Sequence, residues 1–150
     1  MHRLFILLAA LCALTGCGEK ASTMEDISSI DVAFPNGTKV IAQTMRQTLD
    51  LTRGLMFRDA LKPDHGMLFA YPKDEPHMHW MYQVRFSIDT IWMDRDHNVV
   101  EIVRDMPPCT GKAAHECPQY GGKVPSRYVL EVVAGIAAKN GLRVGDRLEF

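Results

Sequence analysis

The sequence has almost no excess of positive or negative charge, and it has no low-complexity segment. Its 150 residues carry 17 basic and 18 acidic side chains, so the formal net charge is −1. A chain with such balanced charge lacks the basic footprint of a nucleic-acid-binding protein. With 47% hydrophobic and 23% charged residues, 8 prolines and 11 glycines, its composition also excludes disordered, collagen-like and coiled-coil classes. We therefore expect an ordinary globular protein that does not bind nucleic acid.

Long apolar runs are scarce, and the main one lies at the start of the chain. Leu4 to Leu14 is unbroken and apolar and follows the basic Arg3. Eleven helical residues cover only about 16 Å, half of a bilayer core, so the run is typical of a signal peptide over residues 1–16 and not of a membrane span. The following Leu14-Thr15-Gly16-Cys17 resembles the bacterial lipobox, which implies that Cys17 becomes the lipidated first residue of the mature protein. A cytosolic protein in which these four residues occur by chance is the alternative.

Cysteine is also scarce, with four in the chain. Cys12 would leave with the leader and Cys17 would carry lipid, so Cys109 and Cys117 remain as an even pair. In an oxidising compartment such a pair favours a disulfide. Its nine-residue loop would stabilise the fold by about 2.6 kcal/mol on the chain-entropy model. The rival interpretation is a metal site formed by both thiolates and His115.

After the leader, composition divides the chain into a tether and one domain. Residues 17–29 are small and polar, and a flexible segment of that length reaches about 20 Å from the membrane. Residues 30–150 suit a single domain. Asn36-Gly37 lies between β-rich runs and predicts a hairpin, and the turn at residues 94–98 predicts a second.

The remaining patterns predict about seven short strands and one or two short helices. Helices are expected near residues 47–53, ending at Gly54, and near residues 134–140, capped by Gly141. Residues 66–71 and 77–82 are expected as separate strands, because the prolines and charges at 72–76 favour a break. The fold class is therefore mainly β, an antiparallel β-sandwich or barrel.

Several segments together resemble the domain of unknown function 192 family. They include Gly66-Met67-Leu68-Phe69, Ile88 to Asp94, the Pro107 to Pro118 loop, Tyr128-Val129-Leu130-Glu131 and Gly141 to Asp146. The resemblance covers roughly residues 41–150 and implies a jelly-roll-like sandwich in a secreted or envelope-associated protein. It implies no established activity.

Two strand carboxylates are the first candidate site. Asp89 lies mid-strand in FSIDTIWM and Glu131 in YVLEVV, and an unpaired buried charge costs several kcal/mol. One hypothesis is a polar pocket in which Asp89, Arg58 and Glu131 orient a ligand, walled by Trp80 and Trp92. The other, which we favour, is a purely structural ion-pair network or carboxylates that face solvent.

A second candidate is a copper site in HMHWM. On a strand, His77, His79 and Met81 would share one face, and copper accepts imidazole and thioether ligands. Ordinary packing explains the same residues, because methionine is a flexible core filler.

Enzyme motifs were sought and are lacking. The sequence contains no G-x-S-x-G elbow, no H-E-x-x-H, no phosphate-cradling loop and no dinucleotide fingerprint. We therefore predict a lipid-anchored envelope protein that binds a small ligand or an envelope protein without catalysis and without a cofactor. Gly18 after the lipidated cysteine favours the outer membrane. The alternatives are a copper-handling protein and a small hydrolase or isomerase that uses Asp89 and Glu131.

Overall fold

The computed structural model describes residues 28–150, which form eight strands, two short α-helices and one 3-10 turn at Ala114–Glu116. The predicted leader, Cys17 and nearly all of the predicted tether lie outside the described residues. No helix within residues 28–150 is long and apolar enough to cross a bilayer. The elements are β1 (Ser29–Ala33), β2 (Lys39–Met45), α1 (Thr48–Arg53), β3 (His65–Glu75), β4 (His79–Trp80), β5 (Ile88–Met93), β6 (Val99–Met106), β7 (Gln119–Tyr120), β8 (Ser126–Val133) and α2 (Ile136–Lys139).

Six strands form one open sheet in the order β1-β2-β3-β8-β5-β6, and β4 and β7 form a small second sheet. All neighbouring pairs are antiparallel except β2 and β3, which are parallel and are connected through α1. This confirms the expected mainly β, mostly antiparallel class with two short helices. The parallel pair was not predicted.

Side-chain alternation in the central strands creates a core on each face of the large sheet. On one face, Leu130 and Ile91 belong to a cluster that also contains residues of β1 and α2. On the other, Val129 and Trp92 belong to a cluster that includes both cysteines of the 109–117 loop. Because β5 is buried along its whole length, its residues are mainly apolar on both faces.

Both predicted hairpins and both helices are present. β1 pairs with β2 around Gly37, which has φ +83°, and β5 pairs with β6 around a turn in which the Asp94 N–H donates to the Asn98 carbonyl. α1 ends at Gly54, as expected. The predicted break at residues 72–76 was wrong: β3 continues to Glu75 through a register shift after Ala70, because a bulge accommodates Pro72.

Candidate functional site

The 109–117 loop is closed by a disulfide between Cys109 and Cys117, with an S–S distance of 2.13 Å. Both cysteines are buried in the second core, whereas His115 is exposed. The predicted disulfide is therefore confirmed. The rival metal site is excluded, because the two sulfurs that would have bound the metal are bonded to each other.

The most unusual feature of the interior is a buried histidine–carboxylate pair. His79 Nδ1 lies 2.9 Å from Glu131 Oε1, although 52 residues separate them in sequence. Both side chains are about 5% exposed. β8 contributes Glu131, whose neighbours in the sheet are Met67 and Thr90, and β4 places His79 over the same face. Burying such a pair is costly unless its hydrogen bonds are well formed.

Tyr71 extends the pair into a chain of three side chains. Its Oη lies 3.0 Å from His79 Nε2. Burial, and then the Glu131 carboxylate, raise the pKa of Tyr71 far above its usual range, so the phenol keeps its proton. His79 therefore bridges the other two side chains: Nδ1 faces the Glu131 carboxylate, which can only accept when ionised, and Nε2 faces the Tyr71 hydroxyl, which can donate or accept.

Aromatic rings hold the Tyr71, His79 and Glu131 side chains in position. Phe69 and Trp92 meet the His79 ring edge-on at centroid distances of 4.8 and 5.7 Å. The His77 ring stacks on Tyr71 at 3.6 Å, and the Trp92 indole N–H donates to the His77 carbonyl at 2.7 Å. Aromatic contacts of this kind stabilise a fixed arrangement in a core, so His79 has little freedom to turn.

A small cleft lies against the pair. Its free volume is about 30 Å³ for water-sized groups and about 270 Å³ when its open mouth is included. That inner volume holds one or two water-sized groups, and the whole lies just below the range of typical small-molecule sites. The lining residues are Leu51, Thr52, Arg53, Gly54, Leu55, Met56, Phe69, His79, Trp80, Val84 and Glu131.

A buried hydroxyl next to Glu131 in the sheet lacks a partner. Among residues 28–150, the buried Thr90 hydroxyl has no hydrogen-bond partner. Thr90 is paired with Glu131 across β5 and β8. An unpaired buried polar atom is rare in proteins and is typical of a functional site or of bound solvent.

The five residues predicted to form one pocket do not all lie together in the structure. Glu131 and Trp80 line the cleft, and Trp92 packs behind His79. Asp89 lies on the opposite face of the sheet, where it is paired with Val132. Arg58 lies apart from the cleft lining and donates to Gln43 Oε1 at 2.6 Å.

Asp89 has a structural environment of its own. Its Oδ1 accepts from the Asp105 N–H at 3.0 Å and its Oδ2 from the Ala137 N–H at 2.9 Å. Backbone N–H donors, not arginine, thus satisfy this fully buried carboxylate. Among residues 28–150, Asp89 therefore forms no ion pair and does not face solvent, unlike in either form of the structural explanation that we favoured.

The residues predicted to bind copper have other partners. Both ring nitrogens of His79 are hydrogen-bonded, His77 Nε2 lies 3.3 Å from the Lys73 carbonyl, and Met81 is fully buried in the second core. In the described part of the chain, no group of three His, Cys, Asp or Glu side chains could hold a metal ion. Copper binding by His77, His79 and Met81 stays a prediction.

The sequence interpretation missed Tyr71 and the pairing of His79 with Glu131. One signal was available: a carboxylate on an apolar strand requires a buried partner, and His79 is a polar residue in an otherwise apolar segment. Nothing local indicated that β4 would lie over β8, because β4 pairs only with β7.

Fold and site together define a small, mainly β domain with a buried histidine–carboxylate pair beside a cleft. The model of the domain of unknown function 192 family, described as Uncharacterized ACR, matches residues 28–150, and the chain belongs to this family. None of the curated proteins matches it.

Two solved structures are similar to the chain over most of its length. One, from Sinorhizobium meliloti, is described as a proposed transcription regulator; it is 27% identical with a TM-score of 0.71, and the match covers 82% of this chain and 94% of that one. The other is a protein of unknown function from Novosphingobium aromaticivorans, 27% identical with a TM-score of 0.67, covering 83% and 85%.

Proposed function

We propose that this chain is a lipid-anchored envelope protein whose β domain binds a small ligand in the cleft without changing it chemically. The lipid anchor is inferred from the leader and from Leu14-Thr15-Gly16-Cys17. The buried Cys109–Cys117 disulfide supports an oxidising location. Regulation of transcription, ascribed to one structural neighbour, is not part of the proposal, because a net charge of −1 provides no basic footprint.

The observation that carries the binding role is the Glu131 carboxylate, which is held by His79 through Oε1 and lines a cleft of mixed polar and apolar residues. Leu51, Leu55 and Trp80 would contact an apolar body, and Arg53 contributes a positive charge to the lining. Because the inner volume is only about 30 Å³, a ligand could insert only a small group, such as an amino or hydroxyl group that donates to Glu131. The rest of the molecule would then lie against Trp80.

The same geometry favours binding over catalysis. A nucleophile or general base needs a pKa near neutrality or below, whereas burial raises the pKa of Tyr71. His79 already uses both ring nitrogens to hold Tyr71 and Glu131. The three groups are therefore suited to holding a fixed acceptor for a ligand.

Native mass spectrometry of the detergent-solubilised full-length protein tests the proposal. We expect a retained small molecule that is lost in Trp80→Ala and kept in Tyr82→Ala. Tyr82 is the matched control, because its ring lies 5.5 Å from that of Trp80 but does not line the cleft. Equal retention by both variants would place the ligand elsewhere. Conversion of the released molecule by the wild type, abolished in Glu131→Gln, would instead support the hydrolase or isomerase alternative.

A further inference from the structure

The chain enters the domain at one end of the large sheet, and that end is well defined. The Ser28 carbonyl accepts from the Thr44 N–H at 2.8 Å, and Ser29 is paired with Gln43. β2 ends two residues later at Met45, and α1 begins at Thr48. The point where the chain enters and helix α1 therefore share the same end of the sheet.

The surface at this end combines exposed apolar side chains with arginines. Leu49 on α1 is 84% exposed and Phe57 is 55% exposed. Phe57 is presented on a backbone with φ +65°, stabilised by its N–H bond to the Gln83 carbonyl. A bulky residue rarely adopts such a conformation, and strain of this kind clusters at functional surfaces.

Three arginines belong to the same surface. Arg46 joins β2 to α1, Arg53 is the last residue of α1, and Arg58 reaches Gln43, the partner of Ser29. None of the three forms a salt bridge with another residue in the 28–150 range. They outnumber the two carboxylates of this stretch, Asp50 and Asp59, and Arg85 pairs with Asp59. We call Arg46, Leu49, Arg53, Phe57 and Arg58 the basic–apolar end.

We propose that the basic–apolar end lies on the anionic membrane that holds the lipid anchor. This inference rests on the proposed acylation of Cys17. Ser28 lies eleven positions after Cys17, and even a fully extended chain of that length spans at most about 40 Å. The end through which the chain enters can therefore reach the bilayer, where arginines are attracted to anionic headgroups and exposed apolar side chains enter the interface.

The orientation has a consequence for the cleft. Residues 51–56, which begin two positions after Leu49, line the cleft. In the proposed orientation the cleft lies near the headgroups, and a ligand would reach it from the membrane surface. The opposite end of the sheet points away from the bilayer; there the β1–β2 turn contacts α2 through a hydrogen bond of 2.9 Å between Asn36 and Asn140.

A fluorescent probe on the acylated full-length protein tests this orientation. An environment-sensitive dye is attached to Leu49→Cys or, as a control, to Ala138→Cys, which is exposed on α2 at the far end. The protein is reconstituted in vesicles of phosphatidylethanolamine and phosphatidylglycerol, and quenching by aqueous iodide is measured. We expect the dye at residue 49 to be shielded and the dye at residue 138 to be quenched freely.

Charge variants separate electrostatic docking from simple tethering. Arg46→Ala should lower the ratio of shielded to unshielded dye about fivefold, the factor that one basic residue contributes near an anionic surface, whereas Lys139→Ala on α2 should not. Equal quenching at residues 49 and 138 in acylated protein would overturn the orientation and leave the anchor intact. A mass spectrum without acyl chains on Cys17 would overturn the anchor itself, and the orientation with it.

Discussion

At the scale of single residues, the decisive observations concern buried carboxylates. Asp89 and Glu131 both lie on apolar strands, yet their partners differ in kind: backbone N–H groups for Asp89 and an imidazole for Glu131. A carboxylate in an apolar strand must be paired, but its partner comes from whichever element packs over that face of the sheet. Two residues that look alike in sequence can therefore be tested separately.

Asp89→Asn should destabilise the domain by about 1–3 kcal/mol, because the amide can accept only one of the two backbone hydrogen bonds and its NH₂ group meets a donor. Asp105, one of the two donors, has φ +51°, so the carboxylate also supports a strained backbone. Unfolding in urea measures the effect. An unchanged midpoint would show that the two bonds contribute nothing.

His79→Phe should cost about 3–5 kcal/mol, because it leaves the Glu131 charge buried without a partner. Glu131→Gln should cost less, since the amide oxygen still accepts from Nδ1–H. In a double-mutant cycle of His79→Phe and Glu131→Met, we expect the double variant to lose about 2 kcal/mol less unfolding free energy than the sum of the two single losses. Additive losses would mean that the two side chains do not interact.

At the scale of elements, β4 and β7 form a cover over the larger sheet, and close contact at a glycine controls how they pack. A Cβ on Gly121 would overlap the Trp92 indole ring, and Gly121 has φ +66°. Trp92 in turn packs against His79 and donates to the His77 carbonyl. This small sheet thus connects the loop after the disulfide to the candidate site.

Gly121→Ala should therefore destabilise the domain by about 3 kcal/mol or more, from overpacking together with backbone strain. Gly111→Ala is the matched control: its φ is +73° but nothing lies within 4 Å of the added carbon, so only strain of about 1–2 kcal/mol applies. Thermal unfolding of the two variants compares them directly. Equal losses would show that Trp92 moves aside without cost.

At the scale of the whole molecule, stability should depend on two partly buried histidines. Burial lowers the pKa of His77 and of His97 below 6.5, and Arg147 lowers that of His97 further. Below pH 6.5 the unfolded chain then binds more protons than the native protein, so the unfolding free energy falls as pH falls. We expect the loss between about pH 7 and 5.

His77→Phe and His97→Phe should each flatten this pH dependence, because phenylalanine keeps the stacking on Tyr71 or Phe150 and does not titrate. His115→Gln, at an exposed position of the 3-10 turn, controls for the loss of any histidine. Unfolding free energies from denaturant titrations at pH 7.5 and 5.5 provide the comparison. A pH dependence unchanged in both phenylalanine variants would contradict this explanation.

Much of the fold could be predicted from local signals, and less of the site. Asn36-Gly37 and the 94–98 turn predicted two hairpins, and Gly54 predicted the end of α1. The disulfide was predicted because Cys109 and Cys117 remain as an even pair in an expected oxidising compartment. The turns and the helix end are short-range effects, because neighbouring residues determine them. The disulfide was predictable because each of the two remaining cysteines has only the other as a partner. The continuation of β3 through Pro72 was missed, because the bulge depends on β8 beside it.

What the sequence by itself determined is the set of residues that must be buried and the turns that connect them. The strand pattern placed Asp89 and Glu131 within apolar strands, and it left open whether they are paired inside the protein or face solvent. Only the tertiary structure decided that they face opposite sides of the sheet and that His79 and Tyr71 meet Glu131. The reason is physical: period-two alternation is a local property of a strand, whereas the partner on each face is chosen when the elements pack together.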